Sequence, residues 1–176
     1  ADAEPPLRLL LTDDESQACT IADELHELNG ARQDVERRIL EEASAQAEAL
    51  ASIPPVLVLS GEGWHEGVVG IVASRLVERY HRPVLLLGER DGVAKGSGRS
   101  IASYDLMSGL NACARWLTVY GGHTQAVGLT LPACDVGSFR EAMIDHAAAQ
   151  LDADDLRPVY RADAVLRGDD IDADTA

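Results

Sequence analysis

Two short blocks constrain this chain more than anything else in it. Residues 56–59 (VLVL) and 84–87 (VLLL) are apolar at every position. A half-buried strand alternates apolar with polar side chains; a strand that is apolar throughout is covered on both faces. Pro54 and Pro55 precede the first block, and Gly61, Gly63 and Gly67 follow it. Between the blocks, residues 68–80 place Val69, Val72 and Leu76 on related faces of a helix. Strand, helix and strand within about thirty residues read as a βαβ unit, which needs helices on both sides of its sheet.

The flanking segments extend this α/β reading. Asp91-Gly92 marks a turn, and residues 93–99 a strand that runs into a loop. A helix is predicted from Asp105 to about Trp116, a chain break at Gly121-Gly122, a strand over 126–131 and a helix over 135–151. Phe139, Met143 and Ile144 are its core candidates. Upstream, residues 7–11 (LRLLL) read as a short buried strand. Thr12 and Glu15 form a capping box for one long helix to about Leu50. Its stripe of Ile21, Leu25, Leu28, Val35 and Ile39 keeps phase across Gly30, where fraying or a kink is expected. Most of its circumference is polar, as in a solvated connector. Downstream of Leu151 the chain is Asp-rich; residues 160–166 alternate like one more strand, which suggests that a further domain follows. The expected organisation is an arm over 1–52 (strand plus connector helix), an α/β domain over 53–151 and an acidic stub over 152–176.

A chain of 176 residues is about one domain's worth. Its net charge of −15 taken alone argues against nucleic acid as a partner. The distribution argues otherwise: residues 61–130 hold six acidic and seven basic groups, and the acid lies at the two ends. The cations are fourteen Arg and one Lys, Lys95. Cys19, Cys113 and Cys134 are odd in number and unrelated in spacing, so they read as reduced thiols in a cytoplasmic protein. No apolar run approaches the ~20 residues of a membrane span, and no membrane partner is expected.

Three patches in the near-neutral middle could carry chemistry. Trp64-His65-Glu66-Gly67 lies between a strand end and a helix start, where free N–H groups meet anions. His65 could donate to a phosphate or act on a proton; the plainer reading is a turn with Trp64 as a packing lid. Lys95 precedes Gly96-Ser97-Gly98-Arg99-Ser100, where glycine N–H groups, hydroxyls and a bidentate guanidinium suit an anion; the plainer reading is a flexible loop. It is not a Walker loop, because the Gly-Lys-Ser/Thr order before a helix is missing. Tyr120-Gly121-Gly122-His123 allows close backbone approach to a ligand, or is a helix C-cap with an exposed His123. His65, His81 and His123 show no metal-ligand spacing, and no Gly-x-Ser-x-Gly elbow is present. The residues point to an anion-binding face with no visible catalytic engine.

These patches, in this order, resemble a known family. WHEGVVGIVASRLVERYHRPVLLL, then GSGRS, then YGGHTQAVGLTL is similar to the DHH-associated domain of the RecJ family of single-strand-specific 5′→3′ exonucleases, over roughly residues 55–150. The arm LLLTDDESQACTIADELHELNGARQDVERRIL resembles the connector helix between that family's two core domains. This separates the chain from shorter oligoribonuclease-type relatives and from the alanyl-tRNA synthetase appendage. The resemblance implies a mixed sheet flanked by helices, single-stranded DNA as partner, a role in DNA repair and recombination, and Mn²⁺ or Mg²⁺ held by an upstream DHH domain. The Asp-His-His motif of that domain does not occur in this sequence. By position, Ser97, Gly98 and Arg99 match the phosphate-gripping loop. Gly121, Gly122 and His123 match the Gly-Gly-His motif that faces the active site, and Trp64 and His65 match the start of the motif that opens the helix. The tail beyond about 158 resembles the lead into an oligonucleotide-binding fold. The resemblance therefore implies a substrate-gripping domain, inactive alone, with no catalytic or metal-ligating residue of its own. Three other readings stay open: a DHH-family oligoribonuclease or nucleotide phosphodiesterase, a non-enzymatic nucleic-acid-binding module, and an interaction domain that dimerises through the 21–39 stripe.

Overall fold

The structure, a computed structural model, describes residues 3–159. The expected strand over 160–166 lies outside them. Five strands form one sheet in the order β1-β2-β3-β5-β4: β1 (Leu57–Glu62), β2 (Val84–Arg90), β3 (Val93–Arg99), β4 (Val119–Gly122) and β5 (Ala126–Pro132). β1 and β2 are parallel, and every other pairing is antiparallel. The helices are α1 (Glu4–Leu11), α2 (Glu15–Glu48), α3 (Glu66–Tyr80), α4 (Leu106–Ala112) and α5 (Val136–Gln150).

The two apolar blocks are the spine of this sheet and divide by parity. Leu57, Leu59, Val84 and Leu86 bury against Val69, Val72 and Leu76 of α3 and Ile39, Ala43 and Ala47 of α2. Val56, Val58, Leu85 and Leu87 face the opposite layer, with Leu106 and Leu110 of α4 and Phe139 and Met143 of α5. Both faces are filled, which is why neither block alternates. The open edge of β1 is covered: Arg140 Nε donates to the Val58 carbonyl at 2.7 Å and Gln46 Nε2 to that of Ser60 at 2.9 Å. These bonds occupy an edge that another chain could otherwise pair with.

Several expectations are corrected. Residues 7–11 are helical, not a strand, and belong to α1. Its prolines sit at the first helical positions, where a missing N–H costs nothing, and a helix closes its own hydrogen bonds without a neighbouring ladder. Thr12 is not the cap of α2. Asp14 is, accepting from the N–H groups of Ser16 and Gln17; Thr12 Oγ1 instead accepts from the Asp14 N–H and donates to Gln17. α2 runs unbroken through Gly30, helped by the ion pair of Arg32 with the buried Glu36. Gly121-Gly122 does not break the chain but belongs to β4. The helix expected from Asp105 to about Trp116 divides into α4 and a 3₁₀ turn, Ala114–Trp116. Among the described residues, no helix is long and apolar enough to cross a membrane.

Cys113 lies in the α4–α5 core layer and burial pushes its thiol up, whereas Cys19 and Cys134 are exposed. Because the thiolate is the reactive form, mass spectrometry after iodoacetamide should show two rapid alkylations in the native chain. The third should appear only in denaturant. Native labelling of Cys113 at the rate of Cys19 would contradict this core.

Candidate functional site

The Gly-Ser-Gly-Arg patch lies within the strand expected over 93–99. Gly96, Ser97, Gly98 and Arg99 all lie in β3, between β2 and β5. Their backbone groups face two sheet ladders, so they do not form a nest of free N–H donors, and the expectation based on one is corrected. The glycines serve packing. Gly98 points at the core, where an added Cβ would stand 2.7 Å from Leu85 and 2.9 Å from Val127. Gly96 lies so close to the Leu86 carbonyl that no Cβ fits there. The chemistry sits on the other face of the strand, where Lys95, Ser97 and Arg99 alternate with these buried positions.

That face becomes a groove because helix coverage stops halfway across the sheet. α3 lies over β2 and β3, whereas among the described residues no helix covers β5 and β4 on this side. In register, Lys95 stands beside Thr130 and then Val119, and Ser97 beside Gly128 and then Gly121. Gly121 and Gly128 make a floor without side chains; a Cβ at Gly121 would meet nothing within 4 Å. The first turn of α3 forms the wall, through Glu66 and Gly67. Lys95 Nζ reaches Glu66 Oε2 at 2.5 Å, and this hydrogen-bonded cation holds the Glu66 carboxyl below the ordinary carboxylate range. The pair therefore persists to lower pH than an unpaired carboxylate would allow, and is lost as pH falls through the lowered value. Arg99 lies half-buried beside Gly70 of α3, and its Nη1 donates to the Gly98 carbonyl at 2.8 Å.

The Trp64-His65 patch divides. His65 is exposed and caps α3, its Nδ1 accepting from the Gly67 N–H at 3.0 Å. The N–H groups of Val68 and Val69 bond the His65 carbonyl. The helix start is thus largely satisfied by its own cap, and the free-N–H anion site expected there is corrected. Trp64 is 3% exposed and faces away from the groove. Its Nε1 donates to Glu42 Oε2 of α2 at 2.6 Å, and its ring occupies space that a Cβ on Gly61 would take. The structure gives Trp64 the packing role, at the seam between the long helix and the sheet.

The third patch forms the β4–β5 hairpin. Gly122 has φ +144°, and a Cβ there would collide with the Ala126 carbonyl, so the position requires glycine. His123 sits exposed at the tip, with its N–H on the Ala126 carbonyl at 2.8 Å. The tip is tied to the segment after β3: Ser100 N–H donates to the Gln125 carbonyl, Leu106 N–H to that of Thr124, and Gln125 Nε2 to that of Ile101. Arg99 and His123 therefore share one end of the sheet, and Lys95 and Glu66 the other. The structure puts Ser97 and Gly121 in the groove, Arg99 on the same face of β3 beside α3, and Gly122 in register with Val127 and Gly98 on the opposite face, and it leaves out Trp64. Gly98 shares the strand but faces inward. Sequence reasoning counted Lys95 with the Gly-Ser-Gly-Arg patch and Glu66 with the Trp64 patch without bringing the two together, and it missed Gly128 and Thr130 as groove residues. Polar side chains alternating at 95, 97 and 99 were the available signal.

Among the described residues, no three His, Cys, Asp or Glu side chains converge in a way that could hold a metal ion. The described residues do not fit a catalytic metal.

The family profile for the DHHA1 domain matches residues 54–151. This chain belongs to the DHHA1 domain family. The match spans the whole sheet and leaves all of α1 and α2 outside it. Outside the DHHA1 segment the likeness continues. The chain is 39% identical over 171 residues to the single-stranded-DNA-specific exonuclease RecJ of Bacillus subtilis, covering 96% of this chain and 22% of that protein. It is 37% identical over 179 residues to the RecJ of Dickeya dadantii, covering 97% of this chain and 31% of that protein. The crystal structure of RecJ from Thermus thermophilus in complex with Mn²⁺ superposes with a TM-score of 0.76 at 37% identity, over 85% of this chain and 22% of that one. The chain thus spans between a fifth and a third of the length of these relatives.

Gly98 and Gly121 separate packing from floor. Gly98→Ala should cost about 1–3 kcal/mol through overpacking, read as a lower urea midpoint. Gly121→Ala should stay within about 0.5 kcal/mol. Equal losses would mean that the floor is not open.

Proposed function

We propose that this chain is the substrate-gripping domain of a RecJ-like exonuclease acting 5′→3′ on single-stranded DNA in repair and recombination. One observation carries the reading: beside Ser97 and Arg99, the uncovered half of the sheet exposes a floor of paired glycines along which a nucleic-acid backbone can lie close to the strand. Phosphate contacts need cations, hydroxyls and room for the backbone, and carry no sequence information. A groove with Arg99, Ser97 and bare glycine suits a non-specific single-strand grip. The RecJ identity of the relatives, over nearly all of this chain, supports single-stranded DNA as the ligand.

In this reading Arg99 pairs with a phosphate, Ser97 donates its hydroxyl, and Gly121, Gly122 and the His123 hairpin face the reacting end of the strand. Gly98 lets β3 pack tightly enough to present its neighbours. His65 shapes the wall by capping α3, and Trp64 fixes that wall to α2. The phosphodiester hydrolysis belongs to a DHH domain of the same protein, which holds Mn²⁺ or Mg²⁺, and an oligonucleotide-binding domain extends the grip. We place the protein in the cytoplasm, and we expect the 176-residue chain alone to bind DNA without cleaving it.

Titrating a fluorescent oligothymidylate at several salt concentrations tests this. Arg99→Ala should weaken binding at every sequence and reduce the slope of log K against log salt by about 0.7, the single-strand value per phosphate. Gly128→Leu should abolish binding while leaving the thermal midpoint in place, since a Cβ there makes only an ordinary contact, 3.9 Å from the Gly96 carbonyl. Wild-type affinity and slope in both variants would remove the groove from DNA binding.

A further inference from the structure

His146 lies on α5, in the layer opposite the groove, and the phosphate-binding reading does not use it. Its Nδ1 stands 2.9 Å from the hydroxyl of Tyr104, and the two rings meet edge to face at 5.9 Å between centroids. Tyr104 is 2% exposed and belongs to the segment that joins β3 to α4. Gly109 of α4 makes room for its hydroxyl: a Cβ there would stand 2.5 Å from that oxygen. Inside a helix glycine is a weaker choice than alanine, and Gly109 has no positive φ to require it. The space it leaves belongs to the Tyr104 hydroxyl.

A buried hydroxyl needs an acceptor. Burial pushes the Tyr104 phenol up, so it keeps its proton. Its one hydrogen-bond partner among the described residues is His146 Nδ1. The Tyr104 hydroxyl therefore donates and His146 accepts, with a neutral ring whose proton sits on Nε2. What Tyr104 holds in turn is the base of the His123 hairpin. Ser100 Oγ donates to the Tyr104 carbonyl at 2.7 Å, and the Tyr104 N–H donates to the Ile101 carbonyl at 3.2 Å. From the same segment, the Ser100 and Leu106 N–H groups donate to the Gln125 and Thr124 carbonyls, and the Ile101 carbonyl accepts from Gln125 Nε2. A path of hydrogen bonds thus runs from α5 to the hairpin tip. Among the described residues, Tyr104–His146 is the only hydrogen bond between this segment and α5.

Resting on the groove reading above, we propose that His146 is a positioning residue for the His123 hairpin. It acts through Tyr104 and touches no nucleic acid itself. From the far side of the sheet, it fixes where the hairpin tip stands beside the glycine floor.

Amide hydrogen exchange, followed by NMR on the 176-residue chain, reads the tie directly, because the Ser100 and Leu106 N–H groups are themselves bonds of the path. His146→Leu and Tyr104→Phe should each speed exchange at these two amides about fivefold, the effect of one hydrogen bond, and leave the Leu86 amide of β2 unchanged. The double variant should be no faster than either single one. His146→Asn, which brings an amide oxygen near the place of Nδ1, should restore slow exchange. In oligothymidylate titrations, His146→Leu should weaken binding about threefold with the salt slope unchanged, whereas Arg99→Ala lowers the slope. Unchanged exchange at Ser100 and Leu106 in both single variants would overturn the proposal. Additive effects in the double variant, or equal acceleration at Leu86, would do the same. So would a loosened hairpin that binds the oligothymidylate with wild-type affinity. If the wild-type chain binds no oligothymidylate, the groove reading falls, and the exchange rates alone decide whether His146 holds the hairpin.

Discussion

Everything about the groove depends on where α3 is allowed to lie. The helix must carry the chain from the end of β1 back to the start of β2, so it covers those strands and the adjacent β3. The chain then passes to the opposite layer for α4, returns through the β4–β5 hairpin and finishes with α5 on that opposite layer. Among the described residues, no element remains to cover β5 and β4 on the α3 side. A half-covered sheet normally shows polar alternation on its bare half. Here that half shows glycine, which keeps the surface flat and lets another backbone approach.

The long helix is two objects joined end to end. From Glu36 onward it belongs to the domain: Ile39, Ala43 and Ala47 are fully buried against the α3 layer. Polar contacts fasten the same stretch, with Glu36 to Arg75 at 2.5 Å, Glu42 to Trp64 at 2.6 Å and Arg79 to Glu48 at 2.6 Å. The Glu42–Trp64 bond joins a charged acceptor to a buried donor, a class worth about 1.5–3 kcal/mol. Before Glu36 the helix buries only Ile21. Leu28 and the leucines of α1 at 7, 10 and 11 remain exposed.

The βαβ spine was legible because burial on both faces leaves an unmistakable mark, an apolar residue at every position. The α5 core positions were legible from helical spacing, and Phe139 and Met143 are fully buried. Residues 7–11 were misread because four leucines in five residues carry no period, and the deciding signal was the proline pair ahead of them. The strand over 93–99 was legible, but its glycines were read as a nest of N–H donors, and only the close approach of Leu85, Val127 and the Leu86 carbonyl shows why β3 needs them. The resemblance brought in Trp64 as a contact residue, and the hydrogen bond to Glu42 turns it inward. Lys95 was counted with the anion-binding patch in sequence, and only the fold shows its ion pair with Glu66.

The firm attachment of the last third of α2 has a mechanical consequence. The free part, from Glu15 to Val35, is about 30 Å of helix at 1.5 Å per residue. It cannot swing independently of the sheet without breaking the buried contacts beyond it. Whatever engages the exposed leucines of α1 or the outer face of α2 therefore holds a lever arm whose short end is the groove wall.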